Sequence, residues 1–348
     1  MSSLRVALLG GTGAVGQRFV QLLERHPWFE LTTITGKTSV GKRYSEAVNW
    51  LLGDEVPEYV RDLTIVETDL RNLKGVDLVF SALPSGEAAA IEREVMRAGI
   101  PMVSNSSFLR MDPLVPLIVP EVNPDHLSLI DGQRGMGLGP VATSPNCTTT
   151  MVVIPLKPLD ERYRIRRIDV ASYQAISGAG YPGVPSYDII DNLIPFISEE
   201  EEKVERESRK ILGRVSGNDV KLAEFYVQAT CVRVPVIDGH TVAVHAEFEE
   251  EVDLDEVTRI LENFDPGERV RSLPSSPEKA IIVRREKDRP QPRYDRLAGN
   301  GMSVTVGRLR MGANGRNLLF VTHGHNTIRG AAGGAILLAE LMRSEGII

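Results

Sequence analysis

Over the first 145 residues the apolar positions alternate between short continuous runs and stretches of helical spacing. RVALL at 5–9 is a run without polar breaks, the pattern of a strand buried on both faces. Residues 14–25 place Val15, Phe19, Leu22 and Leu23 on one side of a helix. ELTTIT at 30–35 predicts a second strand, and 63–67, 78–82 and 102–104 predict three short ones. A helix at 87–98 separates the last two. This alternation predicts a mostly parallel sheet with helices on both faces, because parallel neighbours need a crossover between them.

The pattern changes after residue 147. Longer strand-like segments run at 168–174, 229–237, 240–249 and 304–311, with one long charged helix at 198–212. They predict a second domain of α+β type on an antiparallel sheet. TIRGAAGGAILLAELMRS at 327–344 predicts a helix whose Gly and Ala residues suit close packing on another backbone. The polar, Pro-containing stretch 284–296 predicts a surface loop. The expected division is a first domain at 1–146 and a second at 147–326. A terminal helix within 327–348 then returns to complete the first.

Composition narrows the function. With 42% hydrophobic residues in 348, the chain can build a real core. No apolar run reaches the roughly 20 residues that span a bilayer. MSSLRVALLGG enters a strand at once and leaves no room for a leader, so a soluble cytoplasmic protein is expected. Two cysteines exclude a disulfide scaffold and a Cys-rich zinc site, and no metal is expected. A net charge of −7 argues against a nucleic-acid binder but not against small anionic ligands held in a local basic pocket.

The segment between the first strand and the first helix is GGTGAVG, Gly10 to Gly16. Gly11, Gly13 and Gly16 fit GxGxxG in the context that makes it informative. The glycines permit a tight turn and close approach of a pyrophosphate, and the helix start offers free N–H groups. Gly10, Thr12, Gly13, Ala14, Val15 and Gly16 are therefore candidate dinucleotide contacts. An acid that would hold ribose hydroxyls is missing at the end of the second strand. Thr35, Lys37 and Ser39 stand there, with Lys42 and Arg43 beyond, and this favours NADP over NAD. An exposed polar loop is the alternative.

Cys147 lies in SPNCTTT, where a helix begins, and a helix N-terminus favours the thiolate. Cys231, inside ATCVRVPVI, suits a buried inert thiol. Six histidines are present: His26, His126, His240, His245, His323 and His325. Asp238-Gly239 is a plausible two-residue hairpin turn, in which Ile237 would face His240. Alternation then puts Arg233, Pro235, Ile237 and His240 on one face and His245 on the other. That parity selects Arg233 and His240 as a functional pair.

Several segments together resemble the aspartate-semialdehyde dehydrogenases, in their archaeal and fungal branch. They are GGTGAVG, SNSSFLRMDPLVPLIVPEVN from Ser104 to Asn123, SPNCTTT, SYQAISGAG from Ser172 to Gly180, ESRKIL from Glu207, CVRVPV from Cys231 with His240 beyond, and HNTIRGAAGGA near the end. The resemblance runs nearly the full length. It implies a glyceraldehyde-3-phosphate-dehydrogenase-like fold, a Rossmann-like domain joined to a catalytic and oligomerisation domain, and a homodimer or homotetramer.

The implied reaction is NADPH-dependent reductive dephosphorylation of L-4-aspartyl phosphate to L-aspartate 4-semialdehyde, feeding lysine, methionine and threonine synthesis. Cys147 would form the thioester, His240 would act as acid/base, and Gln174 would orient the acyl group. Arg233 would grip the substrate carboxylate with its planar fork. Arg110, Asn105 and Lys210 would hold the phosphate, and Glu207 the amino group. Ser177 and Gly178 would lie along the nicotinamide, with Asn326 nearby. Without the resemblance, EEEEKVERESRK reads as a solvated charged helix. Malonyl-CoA reductase shares the thioester–hydride logic and is the nearest rival. N-acetylglutamyl-phosphate reductase fits SYQAISGAG and CVRVPV less well, and a catalytically dead nucleotide-binding regulator is opposed by the intact Cys147, Gln174, Arg233 and His240.

Overall fold

The apolar run that opens the chain is a central strand, β1 (Leu4–Leu9), in a computed structural model that describes residues 3–348. The strands that follow are β2 (Phe29–Gly36), β3 (Val66–Glu67), β4 (Leu78–Ser81), β5 (Met102–Ser104) and β6 (Val141–Thr143). They form one parallel sheet in the order β3-β2-β1-β4-β5-β6. Val6 and Leu8 pack with Phe19 and Val20 of the helix Ala14–Leu23 and with Ile336 and Leu337 of the helix Gly333–Ser344. Ala7 and Leu9 face the other way, toward Ala88, Ile91 and Val95 of the helix Ser85–Arg97. Both pleat faces are covered, which is why the strand reads as a continuous apolar run. The strand order reverses between β1 and β4, and a crevice opens at their carboxyl ends, where such sheets bind ligands.

The sequence reading misses β6, a three-residue VAT segment with too little pattern to register. It also stretches β3, which pairs with β2 only at Val66 and Glu67.

The remaining strands are β7 (Ile165–Gln174), a small hairpin of β8 (Arg214–Ser216) and β9 (Asp219–Lys221), then β10 (Tyr226–Arg233), β11 (His240–Phe248), β12 (Ile281–Val283), β13 (Val304–Met311) and β14 (Asn317–Gly324). Six of them form the second sheet in the order β10-β7-β11-β14-β13-β12. The sheet is mixed rather than antiparallel, since β10 runs parallel to β7 and β12 parallel to β13.

The expected hairpin at Asp238-Gly239 does not exist. β7 lies between β10 and β11, and β10 stops at Arg233. Pro235 has no N–H to continue a ladder, and the chain crosses over β7 before β11 begins. Ile237 is 70% exposed rather than facing His240.

One face of this sheet packs Ile168, Val170, Val242 and Val244 against Met151 and Val152 of the helix Cys147–Tyr163 and Val204 of the helix Glu200–Ile211. Tyr173, Thr230 and His245 stand exposed on the opposite face, with Ala243 and Val321 half-buried among them. The terminal segment opens with a π-helical turn, Ile328–Ala332, before its regular helix. The stretch 284–296 is tied inward as well as exposed: buried Asp295 accepts from Arg284, Arg289 and the Gln291 N–H. Among the described residues, no helix is long and apolar enough to cross a membrane.

Candidate active site

Asn146 caps the helix Cys147–Tyr163, its side-chain oxygen accepting from the N–H groups of Thr148 (2.8 Å) and Thr149 (3.2 Å). Cys147 is thus the first residue of the helix. Its position against the second sheet follows from register. Arg233 pairs with Gln174, and Thr241 pairs with Tyr173, so His240 flanks Gln174 from the other side. His240 in turn pairs with Gly324. Arg233, Gln174, His240 and Gly324 form one row across four strands, their side chains on the face toward Cys147. The sequence parity argument puts Arg233 and His240 on one face, as the structure does, but by the wrong route. They share a face because each flanks Gln174, not because a hairpin joins them.

Cys147 Sγ lies 3.1 Å from His240 Nε2. The Ala175 N–H donates to His240 Nδ1 at 3.1 Å. A neutral imidazole that accepts at Nδ1 carries its proton on Nε2, so the ring presents an N–H to the sulfur. Burial, with Arg233 nearby, holds the His240 pKa well below 6.5. The ring is therefore neutral at ordinary pH.

The thiol differs from expectation. Burial and then the Glu200 carboxylate push its pKa up, against smaller downward pulls from Arg110, Arg233 and the Thr148 N–H. Cys147 keeps partial exposure onto a cavity, and water there moderates the rise. Burial and the Glu200 carboxylate thus oppose the thiolate that the helix N-terminus favours. Cys231 is fully buried in β10, its pKa pushed up to about 11 chiefly by burial.

A single cavity of about 610 Å³ runs from the glycine loop to Cys147. Gly10, Thr12, Gly13, Ala14 and Val15 line one end. Gly10 has φ +76°, a left-handed conformation that favours glycine. A Cβ on Gly13 would meet nothing closer than 3.6 Å, which leaves its cavity side open to a ligand. Gly16 serves packing instead: a Cβ there would sit 2.3 Å from the Gly10 carbonyl oxygen, and the residue does not line the cavity.

At the end of β2 the wall is Gly36, Lys37 and Thr38, joined by Thr68. Thr35 is buried beneath, accepting from the Thr68 hydroxyl at 2.9 Å, and Ser39 lies off the wall. Arg43 pairs with Asp62. Lys37 stands 3.6 Å from Glu87, an acid on the facing wall. Ser177, Gly178 and Asn326 line the cavity toward Cys147. The Asn326 amide donates to the Ser177 hydroxyl (2.9 Å) and accepts from the Gly239 N–H (2.8 Å), tying this wall to the residue before His240.

Asn105 and Arg110 also line the cavity. Both polar atoms of the Asn105 amide and Arg110 Nε are buried without a protein partner, an arrangement that suits an anion. Arg110 is aimed by Glu207 (2.9 Å) and the Asn105 carbonyl (2.6 Å). Glu207 spends its second oxygen on the Asn146 N–H at 2.6 Å, so it braces the site and does not line the cavity. Lys210 is placed differently from the reading of it as a phosphate ligand. Its ammonium donates to the carbonyls of Arg110, Asp112 and Val115, at 2.8, 2.8 and 2.9 Å, and burial lowers its pKa to about 8. It holds the loop that carries Arg110. Gln174 is buried, its amide nitrogen donating to Ser172 and Glu200. Arg233 donates to the Ala175 carbonyl at 2.8 Å.

Two family models match. Residues 5–130 match the semialdehyde dehydrogenase NAD binding domain, and 156–329 match the semialdehyde dehydrogenase dimerisation domain. The chain belongs to the semialdehyde dehydrogenase family. It is 52% identical to an aspartate-semialdehyde dehydrogenase of Archaeoglobus fulgidus, over 99% of both chains. It is 40% identical to a malonyl CoA reductase (NADP) of Metallosphaera sedula, over 99% of this chain and 98% of that one. The crystal structure of aspartate semialdehyde dehydrogenase with NADP from Candida albicans superposes with a TM-score of 0.91 at 37% identity, covering 100% of each chain.

The cavity of this semialdehyde dehydrogenase is also lined by residues that the sequence did not mark. Thr68 and Glu87 reach the cavity from separate elements, and no local pattern announces them. Gly330 sits in the π-helical turn, anchored by the buried Arg329–Glu121 ion pair (2.5 Å). A Cβ on Gly330 would lie 2.6 Å from Cys147 Cβ and 2.9 Å from its Cα. Gly330→Ala is expected to displace Cys147 and lower kcat on the order of 10²-fold, the scale of a misplacement of about 1 Å. Steady-state kinetics alongside a thermal melt check this. Wild-type turnover in the variant would contradict the close-packing role.

Proposed function

We propose that the chain works as an aspartate-semialdehyde dehydrogenase, converting L-4-aspartyl phosphate to L-aspartate 4-semialdehyde and phosphate with NADPH. The observation that carries this reading is the Cys147–His240 contact, 3.1 Å long, at the end of a cavity that begins at the glycine loop. Cys147 forms an S–C bond to the acyl carbon as the C–O bond to phosphate breaks, and phosphate leaves with that electron pair and takes up the thiol proton. The bound dinucleotide supplies a hydride to the acyl carbon. The C–S bond then breaks, the aldehyde leaves, and sulfur keeps the pair.

His240 holds an Nε2–H toward the sulfur and the adjoining oxygen, able to stabilise negative charge there. Arg110 and Asn105, with unpartnered polar atoms, are assigned to the phosphate, and Arg233 to the carboxylate. The glycine loop, open at Gly13, suits a pyrophosphate. Thr38, Thr68 and Lys37, with no acid at the end of β2, suit a 2′-phosphate.

We assign residues 1–146 and the terminal helix to the cofactor domain and 147–326 to the catalytic domain. The uncovered face of the second sheet is our choice for pairing of two copies, supported by the match to a dimerisation domain. A cytoplasmic location accords with two free cysteines.

The test is a pair of assays on the purified protein. With L-aspartate 4-semialdehyde, phosphate and NADP it is expected to make NADPH, and without phosphate the rate should collapse. NADPH oxidation with malonyl-CoA alone, and none with the aspartyl substrate, would overturn the assignment in favour of the reductase reading.

A further inference from the structure

The charged helix Glu200–Ile211 reads as a solvated face, yet its first residue turns inward and is 7% exposed. Glu199, the residue before it, has φ +58°, a left-handed conformation that turns the chain sharply into the helix. Glu200 Oε1 accepts from the Asn146 amide at 2.8 Å, the Gln174 amide at 2.9 Å and the Thr148 hydroxyl at 3.4 Å. One carboxylate oxygen therefore joins the cap of the Cys147 helix to the end of β7. Glu200 is the first residue of its own helix and bonds to side chains at the start of the Cys147 helix, and among the described residues no cation makes a salt bridge with it.

We propose that Glu200 is a positioning residue of the active site, resting on the reaction assigned above: it fixes the Asn146 cap and the Gln174 amide as one unit and sets a negative charge beside the start of the Cys147 helix. The two effects arise from different properties of the same group. Positioning needs an acceptor oxygen, whereas the restraint on the thiol needs charge. The charged and titratable groups around Cys147 are Glu200 and Glu207 from the charged helix, Arg110 from the loop after β5, Arg233 from β10 and His240 from β11. Glu207 is paired with Arg110, and Glu200 opposes the two arginines that favour the thiolate. The cost is a slower nucleophile at rest. The return is a thiol that does not react with stray electrophiles while the site is empty.

Because the two effects separate chemically, two substitutions distinguish them. Glu200→Gln keeps an oxygen able to accept from Asn146 and Gln174 but removes the charge. Glu200→Ala removes both. In a Cys231→Ser background, the rate of Cys147 alkylation by iodoacetamide is measured against pH, beside kcat and KM for the semialdehyde. Melting temperature and NADP binding confirm that each variant is folded.

Glu200→Gln is expected to alkylate several-fold faster near pH 7, with its pH midpoint moved down, and to keep kcat within a few-fold of the parent. Glu200→Ala is expected to share the faster alkylation but lose kcat tenfold or more. Alkylation of Glu200→Gln at the parent's rate and midpoint would overturn the electrostatic part. Full turnover by Glu200→Ala would overturn the positioning part. Alkylation needs no substrate, so its outcome stands apart from failure of the aspartyl-phosphate assignment, which would appear as a parent enzyme inactive with the semialdehyde.

Discussion

Cys147→Ser is expected to lose turnover by a factor on the order of 10⁴ or more, the scale seen when an enzyme loses its nucleophile. Several physical effects act in the same direction. A serine hydroxyl ionises far less readily than a thiol, so attack slows. The oxygen ester that would form is a poorer hydride acceptor than a thioester. The site is also built around sulfur: His240 Nε2 stands 3.1 Å from it, and Gly330 leaves no room for the residue to shift. Cys231→Ser, in contrast, should leave kcat within a few-fold, since that thiol is fully buried in β10. Mass mapping of iodoacetamide adducts during inactivation decides between the two. Inactivation that follows modification of Cys231 while Cys147 stays free would remove Cys147 from the role assigned to it.

His240→Ala should cost about 10² to 10⁴ in kcat, the range for a positioned proton-transfer group. The tautomer makes a finer prediction. Because the Ala175 N–H occupies Nδ1, the ring offers a donor at Nε2 and not a lone pair. His240→Gln can place an amide N–H near the sulfur and should therefore retain more activity than His240→Ala. A base that must take the thiol proton would show no such recovery, so equal loss in both variants would contradict the donor role.

The pH dependence follows from the same burial. The folded pKa of His240 is held well below 6.5, so acidification through 6.5 does not protonate the ring. The acid limb of kcat/KM should accordingly carry no His240 step near 6.5. A nitrogen-detected NMR titration that found ring protonation there would contradict the neutral assignment.

Much of the site was legible because its groups lie in short local motifs. The glycine loop declares itself through spacing between a strand and a helix. SPNCTTT places Cys147 at a helix start, and the structure adds the Asn146 cap. Arg233 and His240 do share a face, but the sequence reached this through a hairpin that the fold replaces with an intervening strand. Lys210 and Glu207 were assigned to the substrate by resemblance, yet both are engaged by protein groups. Spacing shows which side chains share a face, and it does not show which hydrogen-bond partners reach them first.

The sequence by itself determined the local elements and the chemistry they could carry. Apolar periodicity set the strands and helices, glycine spacing set a pyrophosphate loop, and the choice of cysteine over serine set thioester chemistry. Only the tertiary structure decided which elements became neighbours. It inserted β7 between β10 and β11, brought the π-helical turn against Cys147, and turned Glu200 inward from a run of acids that reads as a solvated face. The physical reason is range. Backbone propensity and side-chain alternation act over a few residues, whereas strand order, desolvation and the charges around a thiol are sums over groups distant in the chain. The thiol shows the difference most directly: its own helix start favours the thiolate, and burial together with Glu200, 53 positions further along the chain, outweighs it.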